Sequence, residues 1–144
     1  MAKDIFIFVP GFGQIITATT FLTTHAIRAL LGSKGIGGGI STLSFPDIAE
    51  LRSMAVTIWY DTMHQSSHIL FIDADMGGWP ADAAWNLLKT EMDLVAGLYR
   101  FKNPEEKYPG WCNTNEAGYP IVENGLVSMG MVPTGFMMIS RAVF

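Results

Sequence analysis

Short apolar runs alternate along the chain with stretches in which apolar residues recur at every third or fourth position. Ile5–Val9 ("IFIFV") is a short run that ends at Pro10 and Gly11, a pattern typical of a buried strand and a turn. From Ile15 to Leu30 the apolar residues have helical spacing, so an amphipathic helix is predicted there. The chain therefore begins with a strand followed by a helix.

The same alternation continues toward the carboxyl terminus. Further strands are predicted at Ile40–Leu43, His68–Ile72 and Asp93–Tyr99, and a last strand, Gly135–Ser140, follows a long loop. One helix is predicted after "SFPD", where Ser44 and Asp47 resemble a capping box, and another is predicted to begin at Pro80. Strands that alternate with helices indicate one α/β domain, residues 1–144, with a mostly parallel sheet.

Two aspartates follow the third predicted strand directly. In open α/β sheets, ligands bind beyond the carboxyl ends of the strands, and this topology places Asp73 and Asp75 near the middle of that edge. Two carboxylates this close repel each other unless a proton or a cation intervenes. A hard divalent ion, Mg²⁺ or Mn²⁺, is the simplest solution. The alternative is a turn and helix-capping role, for which one aspartate would suffice.

Composition narrows the class of protein. The chain is 49% hydrophobic and 15% charged, which suggests a sheet buried on both faces or a homo-oligomer surface. A net charge of −4 gives no reason to expect a nucleic-acid partner. Cys112 is the only cysteine, which fits a reducing compartment. Prolines and glycines interrupt the longer apolar stretches and no signal peptide is recognisable, so a cytoplasmic protein without a transmembrane segment is predicted.

The stretch "HILFIDADMGGWPADAAWNLLKTEMDLVAGLYRFK" (68–102) resembles the core of GT-A-type glycosyltransferases related to family 2, especially small bacterial and phage-type members. Its features are an apolar strand that ends in "DADM", a helix near a proline, and a strand that ends in tyrosine and a basic residue. "IFIFVPGFG", "FPDIAELRSMAVTIWYD" and "VPTGFMMISRAVF" are similar to the family's first strand and nucleotide loop, its arginine-bearing helix, and its strand near the acceptor site. The resemblance implies a Rossmann-like, three-layer GT-A fold.

The resemblance also implies a metal-dependent transfer of sugar from a UDP- or GDP-type nucleotide-diphosphate sugar to an unknown acceptor. Asp75 would coordinate Mn²⁺ or Mg²⁺ on the diphosphate, and Asp73 would bind the ribose or reach the metal through water. Arg52 would lie near the base or phosphates, unless it is simply a solvated helix residue. Pro10 and Gly11 would shape the nucleotide pocket.

The chain departs from the family pattern in two respects. "VPTGF" differs from the more glycine-rich form of many relatives, and the chain ends at Phe144, before the region that carries the catalytic base of inverting members. Neither Glu116 nor Glu123 can be assigned as that base. A non-catalytic, degenerate glycosyltransferase-fold module is therefore the alternative function. A haloacid-dehalogenase-type phosphatase is disfavoured because its aspartate pair would follow the first strand.

Three further positions allow two interpretations each. Trp111 or Tyr119, in the aromatic loop Tyr108–Pro120, could stack on a sugar ring or pack on the domain. Gly135 could belong to the acceptor loop or merely permit close packing. Arg141 could lie near the acceptor or be a surface charge.

Overall fold

The order of strands and helices agrees with the predicted alternation. The computed structural model describes residues 4–11, 16–100 and 107–144. The first part of the chain forms β1 (Asp4–Gly11), α1 (Ala18–Ser33), β2 (Ile40–Ser44), α2 (Ile48–Thr62), β3 (Ser66–Ile72), α3 (Ala83–Lys89) and β4 (Leu94–Ala96). The second part forms β5 (Trp111–Cys112), β6 (Val122–Glu123), β7 (Leu126–Val127), β8 (Met129–Met131), β9 (Phe136–Ser140) and a 3₁₀ turn (Arg141–Val143).

Five strands form the central sheet, in the order β2–β1–β3–β9–β4. β1 pairs in parallel with both β2 and β3, whereas β9 runs antiparallel to β3 on one side and to β4 on the other. β4 therefore points the same way as β1, β2 and β3, and the prediction of a mostly parallel sheet is confirmed. β9 is antiparallel because the chain leaves β4 and re-enters the sheet at the same edge.

Helices cover both faces of the sheet, which gives three layers. Alternate residues of β1 point to opposite faces: Ile5 and Ile7 join a core cluster with α1 and α3, while Phe6 and Phe8 join a second cluster with α2. Trp59 of α2 is fully buried in that second cluster. Burial of the sheet on both faces accounts for the high apolar content of the chain.

The start of α2 differs from the predicted capping box. Asp47 itself caps the helix, because its Oδ1 accepts hydrogen bonds from the backbone N–H groups of Ala49 (2.8 Å) and Glu50 (2.9 Å). Ser44 is instead the last residue of β2. The capping-box interpretation was wrong because one aspartate satisfies two of the free N–H groups at the helix terminus.

Two other element boundaries were also predicted wrongly. α3 begins at Ala83 rather than at Pro80, whose carbonyl accepts a hydrogen bond from Ala83 N–H in a preceding turn (3.0 Å). β4 covers only Leu94–Ala96 instead of Asp93–Tyr99. Gly97 N–H still donates to the carbonyl of Phe136, the first residue of β9, at 2.9 Å, and no further strand pairing is seen beyond it among the described residues.

The segment between β4 and β9 forms small β-structures of its own. β5 pairs with β8, and β6 pairs with β7, both antiparallel. Tyr119 is 69% exposed, so it does not pack on the central sheet. Trp111 is 60% exposed and lies against Gly130, where an added Cβ would come within 2.3 Å of the Trp111 Nε1 atom. Sugar stacking by either residue stays a prediction.

A helix must be both long and continuously apolar to span a lipid bilayer. In the ranges 4–11, 16–100 and 107–144, none has both the length and the apolar character needed to span one.

Candidate functional site

The carboxyl ends of three neighbouring parallel strands bring the predicted site residues to one edge of the sheet. Gly11 lies opposite Ser44 in the pairing of β1 with β2. Phe8 lies opposite Phe71 in the pairing of β1 with β3, and Pro10 and Asp73 each come two residues later. Pro10 and Gly11 are thus at the same edge as the aspartates, as predicted. They belong to β1 itself, and the rest of the predicted turn, 12–15, lies outside the described residues.

The turn that carries the two aspartates is held by backbone hydrogen bonds on both sides. Asp73 N–H donates to the Gly135 carbonyl at 2.9 Å, and Thr17 N–H donates to the Ala74 carbonyl at 3.0 Å. The side chain of Asp73 is half-buried, whereas Asp75 is exposed. The backbone of the turn is therefore fixed, and it presents one shielded carboxylate and one carboxylate that solvent can reach.

Arg52 joins the site from α2. Leu51 and Ala55, on either side of it along the helix, are buried against the sheet, and this places Arg52 at the edge where β3 ends. Arg52 Nη2 donates to Asp73 Oδ1 at 2.5 Å, and the two side chains are 19% and 26% exposed. Arg52 is therefore not a solvated helix residue, and that alternative was wrong.

The guanidinium of Arg52 has donor capacity left. Its Nε atom is buried and has no hydrogen-bond partner among the described residues. A buried donor without an acceptor costs about 1–3 kcal/mol. An anionic oxygen bound beside Arg52 would remove that cost, so the arginine fits a site for a carboxylate or phosphate ligand.

Burial dominates the ionisation of Asp73. Desolvation raises the pKa of its carboxyl above the ordinary value, Arg52 lowers it by charge and by hydrogen bonding, and Asp75 raises it. The net direction is upward despite the ion pair. Asp73 is therefore a carboxylate that a nearby cation would stabilise in its charged form.

This balance predicts how stability depends on pH. A carboxyl whose pKa is raised in the folded protein binds more protons than it does in the unfolded chain, so its contribution to the free energy of unfolding falls as pH rises through the raised pKa. We expect the free energy of unfolding of wild type minus that of Asp73→Asn, measured by denaturant unfolding, to fall as pH rises from about 3.5 and then to level off. An increase over the same range would mean that Arg52 outweighs desolvation.

Tyr99 and Trp79 also belong to this edge, and sequence reasoning did not identify them as site residues. Tyr99 Oη accepts a hydrogen bond from Gly135 N–H at 3.1 Å. Trp79 lies edge-on to Tyr99 at 6.3 Å and stacks on Phe136 at 4.3 Å between ring centroids. The signal in the sequence that could have identified Tyr99 was its position at the carboxyl end of the fourth predicted strand, Asp93–Tyr99, at the edge where the aspartates lie.

The charged residues of the site act on the phenol of Tyr99. Burial raises the pKa of its phenol, the hydrogen bond from Gly135 lowers it, and the charges of Asp73 and Asp75 raise it while that of Arg52 lowers it. An added Cβ at Gly135 would lie 2.6 Å from the Tyr99 hydroxyl oxygen. Close packing is therefore the structural reason for a glycine at position 135.

The chemistry of Asp73 and Asp75 fits a hard divalent cation. Both side chains offer only carboxylate oxygens, which Mg²⁺ and Mn²⁺ prefer. Across the part of the chain that the structure describes, no group of three or more His, Cys, Asp or Glu side chains is arranged to hold an ion. A site with one or two carboxylates suits a metal that takes its other ligands from phosphates and water.

The opposite edge of the sheet carries Arg141. Its guanidinium donates to the carbonyls of Trp59 (3.1 Å), Tyr60 (2.8 Å) and Met63 (2.9 Å), and its Nε donates to the Ser66 carbonyl (3.1 Å). Three cavities of about 300, 380 and 410 Å³ also lie at this edge, where the parallel strands begin. Arg141 therefore joins the end of α2 to the start of β3 and is not a simple surface charge. A role near the acceptor stays a prediction.

Comparisons with known proteins bear on the fold alone. No protein-family model and no curated protein sequence matches the chain. Among solved structures, the chain is similar to A197 from STIV, with a TM-score of 0.56 and 19% sequence identity. The similarity covers 96% of this chain and 65% of A197, so the chain spans less than two thirds of the length of that protein. The chain is a mixed α/β protein with a mostly parallel sheet, and it shares this architecture with A197.

Proposed function

We propose that the protein is a metal-dependent glycosyltransferase of the Rossmann-like GT-A type that uses a UDP- or GDP-type nucleotide-diphosphate sugar. The observation that carries the proposal is the position of Asp73 and Asp75 at the carboxyl end of β3, with Arg52 paired to the first of them. Ligands of open α/β sheets bind at this edge. The resemblance of residues 68–102 to the glycosyltransferase core assigns the ligand class.

The different environments of the two aspartates support different roles. Asp75 is exposed and is the residue assigned to the metal, Mn²⁺ or Mg²⁺. Asp73 is half-buried and already accepts from Arg52, so it is assigned to the ribose hydroxyls or to the metal through water. A cation beside Asp73 would also offset the desolvation that raises its pKa.

Arg52, Pro10 and Gly11 complete the proposed nucleotide pocket. The buried Nε of Arg52 supplies a donor for a phosphate oxygen or for the base. Pro10 and Gly11, at the end of β1, provide a wall with little side-chain bulk beside the aspartates. When bound, the metal supplies charge stabilisation for the departing nucleoside diphosphate. The residues of the chain bind the donor and orient it.

Calorimetric titration of the wild-type protein tests this function. We expect UDP or GDP, and the corresponding nucleotide sugars, to bind when MnCl₂ or MgCl₂ is present and to lose that binding in EDTA. A panel that includes ADP and CMP shows whether the pocket selects its base. If no nucleotide binds, or if affinity is the same with and without metal, the proposal fails.

Turnover separates the enzyme from the alternative, a non-catalytic module. Release of UDP or GDP from the sugar nucleotide that binds, followed with a coupled assay, would support transfer or hydrolysis by this chain. Tight, metal-dependent binding without release would favour a binding or assembly role.

A further inference from the structure

Tyr99 brings a phenol hydroxyl to the edge of the sheet that carries the two aspartates. Its oxygen accepts a hydrogen bond from Gly135 N–H at 3.1 Å, while the Gly135 carbonyl accepts from Asp73 N–H at 2.9 Å. A single residue, Gly135, thus bridges Tyr99 and Asp73. The ring of Trp79, edge-on to Tyr99 at 6.3 Å, helps to fix the direction of the phenol.

The hydroxyl hydrogen of Tyr99 remains available after this bond. A phenol has one O–H donor and also accepts, and its ordinary pKa of about 10 keeps it protonated at neutral pH. In its bond with Gly135, the Tyr99 oxygen is the acceptor. Among the described residues no side chain or carbonyl accepts the hydrogen of this hydroxyl. The site therefore has a positioned donor for which the described part of the chain supplies no acceptor.

We infer that Tyr99 contacts the bound ligand and donates a hydrogen bond to an oxygen of the sugar diphosphate, on either the diphosphate or the transferred sugar. This inference rests on the proposed function. Phosphate oxygens and sugar hydroxyls both accept from a phenol, and the bond is stronger when the acceptor is charged. Gly135 permits the arrangement, since a Cβ there would come within 2.6 Å of the Tyr99 oxygen.

Tyr99→Phe removes the hydroxyl and keeps the ring against Trp79. With Mn²⁺ present, we expect the sugar nucleotide that wild type prefers among UDP-glucose and GDP-mannose to bind about tenfold more weakly. If Tyr99→Phe also bound free UDP or GDP more weakly than wild type does, the contact would lie on the diphosphate. Loss confined to the sugar conjugate would place it on the sugar. The Mn²⁺ concentration for half-maximal binding at saturating nucleotide should not change.

Tyr60→Phe is the matched control, because Tyr60 is 39% exposed near the end of α2, at the opposite edge of the sheet, and this variant should bind like wild type. Equal affinities of Tyr99→Phe and wild type would overturn the inference and leave the proposed function standing. A higher Mn²⁺ requirement at saturating nucleotide would also overturn it, in favour of a structural role through Gly135 and Asp73. If the wild-type protein bound no nucleotide in the presence of metal, both the inference on Tyr99 and the proposed function would be overturned.

Discussion

Replacing Asp75 by asparagine is expected to weaken metal-dependent nucleotide binding by about 100-fold or more. Loss of a residue that only orients a metal ligand typically costs 10–100-fold in metal affinity, so a direct ligand should lie at or above the top of that range. Asn keeps the size of the side chain but removes the negative charge that a hard divalent cation requires. Calorimetry with UDP or GDP and MnCl₂, on wild type and Asp75→Asn in parallel, measures the effect.

The substitution should leave the fold intact. Asp75 is exposed, and surface substitutions usually change the free energy of unfolding by no more than about 0.5 kcal/mol. Asp61→Asn is the matched control, because Asp61 is also exposed but lies near the end of α2, at the opposite edge of the sheet. If Asp75→Asn bound nucleotide as tightly as wild type while binding still required metal, Asp75 would not be the metal ligand.

The layers of the fold could be predicted because apolar periodicity depends on local sequence. Ile5–Val9 alternates between two buried faces. The helical spacing between 15 and 30 predicted α1 but marked the wrong side of it, because Leu22 and Ala26 are exposed whereas Thr20, Thr23, Thr24, Ile27 and Leu31 are buried. The position of β9 between β3 and β4 could not be predicted in this way. Strand order depends on pairing between residues far apart in the chain, such as Ile72 with Phe136.

The charged residues of the site could likewise be predicted only where the local sequence decides their position. Asp73 and Asp75 could be placed because they follow an apolar run directly and strand direction decides where they lie. The pairing of Arg52 with Asp73 crosses 21 positions and depends on how α2 packs on the sheet, so spacing alone left Arg52 ambiguous. Tyr99 was missed because its partner is the backbone of Gly135, a contact with no sequence signature.

Replacing Arg141 by alanine is expected to lower the free energy of unfolding by about 2–3 kcal/mol, because hydrogen bonds from a charged donor are worth about 1.5–3 kcal/mol each and do not add fully. Arg141 donates to carbonyls at the end of α2, where the helix dipole also favours a cation. Its guanidinium carbon lies 4.5 Å from the Trp59 ring centroid and 4.9 Å from that of Tyr60. Urea unfolding measures the loss.

Arg141→Lys separates the charge from the geometry. Lysine keeps the cation near the helix terminus but lacks the planar fork that reaches several carbonyls at once, so it should recover less than half of the lost stability. Nucleotide affinity measured on the folded protein should be unchanged in both variants, because Arg141 and Asp73 lie at opposite edges of the sheet. Unaltered stability together with lost sugar transfer, at unchanged nucleotide affinity, would instead return Arg141 to the acceptor site that its family resemblance implied.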